Sequence, residues 1–144
     1  MALTILVTVM NFAALLYLVR ALLGGHAASS GQSLLLDALN IWGTNVIAFA
    51  LWYWNIDRGG PASRGLIKGE QDDFLFPQMM MPGTKEWSPG FIDYLYLSFT
   101  NATAFSPTDT MPLSERAKLL MMAESGISLL TLALVAARAV NILN

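Results

Sequence analysis

Residues 91–105 read FIDYLYLSFTNATAF. The stretch is apolar and aromatic, yet Pro89-Gly90 closes it on one side and Ser106-Pro107 on the other. A helix needs about 20 apolar residues to cross a ~30 Å hydrocarbon core, and about 15 are too few. Breakers at both ends favour a short helix that enters a membrane without crossing it, or one buried in protein. Working outward, the neighbouring apolar runs are long enough to cross. One covers about Leu34 to Ile56 and ends in Trp52-Tyr53-Trp54 before Asp57-Arg58, the aromatic belt of a membrane interface followed by water. Another covers about Ala117 to Leu143, with Ser114 as N-cap and Glu115 in the first turn, where a negative charge suits the helix dipole. A third, Ala2 to Leu23, is broken only by Asn11 and Arg20. It outruns the ~7–15-residue core of a signal peptide and lacks a basic start, so it is expected to be a span. The predicted fold is an all-α integral membrane protein: three transmembrane helices with a re-entrant segment between the second and third.

Composition agrees. The chain of 144 residues is 55% hydrophobic and 12% charged, with mean hydropathy +0.52, against about 25% charged residues in a soluble domain. The charges are concentrated: of 8 Lys and Arg, six lie between Arg58 and Lys118. A net charge of −2 gives no basic surface for a nucleic acid. With 0 cysteines there is no disulfide framework and no thiolate chemistry. The single histidine, His26, sits in a Gly/Ser connector with no Cys or second His to complete a metal site, so neither metal nor cofactor is expected. No Ser-His-Asp set and no phosphate-cradling loop can be assembled, so the chain does not read as an enzyme.

The polar residues inside the spans carry the functional information. Asp37, Asn40 and Thr44 share one face of the second span. Glu124, Ser128 and Thr131 share one face of the third, continued by Arg138. A carboxylate at mid-span costs ~2.5–3.5 kcal/mol even on the lenient insertion scale, so Glu124 should face protein or water. It either lines a pore or joins helices through neighbours such as Ser128, Asn45 or Asn40. Asp93, with Tyr94 and Tyr96 beside it, suits the dipole at the start of the short helix. The methionine runs Met79-Met80-Met81 and Met121-Met122 suit packing, and Phe74-Leu75-Phe76-Pro77 is expected at the interface or packed on the protein.

The order span, polar loop, short hydrophobic helix, Pro/Thr/Asp turn, span resembles the pore-loop module of two-transmembrane potassium channels. Thr100-Asn101-Ala102-Thr103 followed by Ala104-Phe105-Ser106-Pro107-Thr108-Asp109, with Pro112 in step with Asp109, resembles that family's T-x-x-T-x-G-Y-G-D and its proline, with one residue more between the second threonine and the aspartate. On this resemblance, residues 34–144 form the module: outer helix 34–56, loop 57–90, short helix 91–105, filter-like turn 106–112 and inner helix 114–143, with residues 1–33 as a first helix and connector outside it. Thr103, Ala104, Phe105, Ser106, Pro107, Thr108 and Asp109 would form the filter-like turn, Glu124, Ser128 and Thr131 would line the pore or join helices, and Gly126 would be the inner-helix hinge. The resemblance implies a homotetramer in the cell membrane that passes monovalent cations. The departures are chemical. Ser106 and Thr108 replace the filter glycines, and Pro107 fixes its own φ and biases Ser106 towards an extended backbone. A weakly selective cation channel is one expectation, and a non-conducting scaffold or partner-binding subunit with the same layout is the other. Some phrases, such as the Trp52–Pro61 run, also look like those of uncharacterised bacterial membrane proteins. The channel reading puts loop 57–90 outside the cell, whereas the positive-inside rule puts it inside.

Overall fold

The computed structural model describes residues 1–23, 31–62, 72–83, 87–103 and 109–143. Four helices dominate: α1 (Ala2–Leu23), α2 (Gly31–Ile56), α3 (Phe91–Thr103) and α4 (Glu115–Leu143). Three of them, α1, α2 and α4, are long and apolar enough to cross a membrane. The chain is a predominantly helical protein with three membrane-compatible helices. At 1.5 Å per residue, α3 is about 20 Å long, short of the hydrocarbon core.

Helix α2 is the central element, touching α1, α3 and α4. Its buried positions Ala38, Ile41, Asn45, Ala48 and Phe49 recur at helical spacing. Ala38 and Ile41 pack with Leu15 and Leu18 of α1. At the other end of α2 the packing is aromatic. Phe49, Tyr53, Phe74, Phe76, Tyr94, Leu97 and Ala117 form one cluster. Tyr53 and Phe74 stack edge to face at 5.1 Å, and Phe76 and Tyr94 at 5.3 Å, the offset geometry that aromatic quadrupoles favour.

Helix α2 ends where the chain reverses. Arg58 takes the left-handed conformation at φ 51, followed by Gly59 and Gly60 at φ 69 and φ 92. Glycine is required at position 60, because an added Cβ would lie 2.9 Å from the Asn55 carbonyl oxygen. Arg58 is held in its turn by Asp72, whose carboxylate lies 2.8 Å from its Nε.

The segments read as loop 57–90 and turn 106–112 contain a short ribbon. Phe74–Leu75 (β1) pairs antiparallel with Met111–Pro112 (β2), in register Phe74↔Pro112 and Leu75↔Met111. Short 3-10 turns cover Asp57–Gly59 and Pro77–Met80. The ribbon joins the segments before and after α3. Strands of two residues carry no alternation, so no period marks them in the sequence. The Phe74-Leu75-Phe76 run packs on the protein, with Phe74 and Phe76 buried, whereas Met80 and Met81 stay exposed.

Candidate functional site

Helix α4 begins as expected. Ser114 Oγ accepts the Ala117 amide proton at 3.2 Å, an N-cap hydrogen bond. One helical face further along then turns three polar residues inward. Glu124 is 0% exposed, and Ser128 and Thr131 are 1% exposed each. The carboxyl of Glu124 is the centre of the site.

Three side chains from two other helices converge on it. Tyr53 of α2 donates its hydroxyl to Oε2, and Asn101 of α3 donates Nδ2 to the same oxygen at 2.6 Å. Ser98 of α3 bonds Oε1. Ser98 Oγ also lies 2.7 Å from the Val46 carbonyl oxygen. One hydroxyl proton cannot serve both oxygens, and the Val46 carbonyl has none to give. All contacts are filled when Glu124 is the neutral acid, its Oε1 proton shared with Ser98 and the Ser98 proton shared with Val46. The group then meets the rule that buried polar atoms are hydrogen-bonded.

A second tier extends the network towards α1. Asn45 of α2 donates Nδ2 to Ser128 Oγ at 3.0 Å and to the Glu124 carbonyl oxygen at 3.5 Å. Asn11 of α1 donates to Asn45 Oδ1 at 3.4 Å. Ser125 donates to Asn101 Oδ1 at 3.1 Å. The hydroxyl of Thr131 returns to the Ile127 carbonyl of its own helix at 2.8 Å. One polar network therefore joins all four helices.

A separate polar clamp sits at the end of the helices nearest the ribbon. Asp57 is buried and accepts the amides of Asp73 and Phe74 at 2.8 and 3.3 Å and the Tyr94 hydroxyl at 2.5 Å. Asp73 accepts Ser114 and takes Arg116 in a two-pronged ion pair, with Nε and Nη2 each at 2.6 Å. The clamp ties the end of α2, the ribbon and the start of α4 together.

The remaining predicted residues are dispersed. Thr103 bonds the Thr100 carbonyl at 3.0 Å, Asp109 is exposed and accepts Thr110 at 3.4 Å, and Asp93 Oδ2 accepts the Gly90 amide at 2.7 Å. Gly126 lies inside an unbroken α4, with open space where a Cβ would stand. Ala104, Phe105, Ser106, Pro107, Thr108 and His26 lie outside the described residues, as does the side chain of Arg138. The helix-joining partners anticipated for Glu124 need correction. Its carboxyl meets Tyr53, Ser98 and Asn101, Asn45 reaches only its backbone, and Asn40 has no part in the network among the described residues. Sequence reasoning missed Tyr53, which reads as one of three belt aromatics. The signal for the others was the spacing of Tyr94, Ser98 and Asn101, four and then three residues apart, which places them on one face of α3. Among the described residues no group of His, Cys, Asp and Glu could hold a metal ion.

No family model matches the chain, and no curated protein or solved structure matches it significantly.

Proposed function

We propose that the chain is a non-conducting membrane subunit with a pore-loop layout, which works by binding partners within the bilayer. The observation that carries this reading is the enclosure of Glu124, Ser128 and Thr131. In a pore shared among copies, each copy supplies part of the wall, so wall residues must be open on the single subunit. Here the polar face of α4 is turned into the subunit's own interior. The α4 residues left open include Met122, Leu129 and Leu130. An axis lined by such side chains would shed water and exclude ions. On this reading α3 enters the membrane from the loop side and is held there by Tyr53, Glu124 and the ribbon.

The test is reconstitution of purified protein into planar bilayers. No cation current above that of protein-free membranes is expected. A robust cation current that disappears in Ser106→Ala would overturn the reading in favour of a weakly selective channel.

A further inference from the structure

We propose that the chain pairs with a second copy of itself through a stripe of α2 made of the exposed Leu36, Asn40 and Ile47 and the half-buried Gly43. This inference rests on the reading of the chain as a partner-binding membrane subunit, and it names the partner.

The four positions are spaced 4, 3 and 4 residues apart, the repeat that keeps one seam facing a neighbouring helix in left-handed packing. Leu36 and Ile47 are 56% and 52% exposed. A Cβ added at Gly43 would meet nothing within 4 Å, so another backbone can approach there. Asn40 is exposed and has no hydrogen-bond partner among the described residues. At 1.5 Å per residue it lies about 20 Å along the helix from Trp54, inside the hydrocarbon layer if Trp54 marks the interface. A carboxamide facing lipid at that depth has no water to satisfy it, so the position calls for a polar partner.

The chemistry of that partner selects a second copy. A carboxamide carries both donor and acceptor and is therefore complementary to itself. Copies inserted with the same topology are related by an axis along the membrane normal. Helix α2 then runs parallel to its counterpart, and each Asn40 meets the other at the same depth. Beside the stripe, a groove of about 350 Å³ between α1 and α2, lined by Met10, Asn11, Asn40 and Thr44 among others, leaves room for a side chain of the other copy.

The chain has 0 cysteines, so single cysteines report the interface without background. Gly43→Cys and Ile47→Cys are oxidised in membranes beside Val9→Cys, an exposed position on α1. Disulfide-linked dimers are expected at positions 43 and 47 and not at 9. Adding Asn40→Leu to Ile47→Cys should lower the dimer yield on the order of five- to tenfold. Its melting temperature as a detergent-solubilised monomer should not change, since Asn40 has no partner inside the chain. The proposal is overturned by equal linkage at position 9, by no linkage at 43 and 47, by linkage to a different polypeptide, or by a yield indifferent to Asn40→Leu. A dimer that conducts would refute the non-conducting reading alone, and a current-free chain without these links would refute this inference alone.

Discussion

Deleting one buried carboxyl leaves its hydrogen-bond partners unmatched, and Glu124 has three of them: the donors Tyr53 and Asn101, and Ser98, which takes its proton. The Glu124→Ala variant would remove the acceptor of the Tyr53 hydroxyl, one acceptor of Asn101 and one partner of Ser98, at a cost of about 2–4 kcal/mol. Glu124→Gln is the discriminating variant. Its amide oxygen can accept from Tyr53 and Asn101, while its NH2 donates to Ser98 as the acid does. Unfolding in mixed detergent micelles should show Glu124→Gln within about 1 kcal/mol of the parent, the size of one ordinary hydrogen bond, and Glu124→Ala far below it. Equal damage from both would mean that the group is held ionised. Glu124 was legible in the sequence because an acid amid leucines and methionines has few places to go. Its partners were harder to see. A tyrosine between two tryptophans at a span end satisfies the aromatic-belt pattern equally well whether its hydroxyl meets water or a carboxyl, and only the position of α3 decides between them.

Among the elements, the long helices were the most legible, since length and apolarity alone mark them. Ser114 also announced the start of α4, because a capping side chain acts locally. The ribbon was not legible. It is held by pairing between segments 36 positions apart (Leu75 with Met111) and by Asp57, a residue from a third segment. Asp57 gives the backbone of β1 an acceptor that a two-residue strand cannot supply for itself. Replacing Asp57 by Ala should therefore speed hydrogen exchange at the Asp73 and Phe74 amides and cost about 2–4 kcal/mol. Exchange within α1 should remain at its parental rate. Unchanged protection at Asp73 and Phe74 would show that the ribbon holds without the clamp.

At the scale of the whole molecule, three crossings by α1, α2 and α4 would put the loop between α2 and α4 on the same side as the start of α1. Of the 8 basic residues, six lie in or beside that loop, so the positive-inside rule predicts a cytoplasmic loop. On the non-conducting reading proposed above, the enclosed face of α4 leaves the opposite orientation without its channel argument. A cysteine introduced at Ser88, which is exposed, should resist a membrane-impermeant maleimide in intact cells and react once they are permeabilised. Labelling in intact cells would reverse the assignment. The polar network also carries a consequence in time. Synthesis proceeds from α1 to α4, and the carboxyl that accepts from Tyr53 and Asn101 arrives with the last helix. Until then Tyr53 and Asn101 lack that acceptor. A half-made chain thus differs from a finished one in its unmatched donors, and the last helix both completes the fold and matches them.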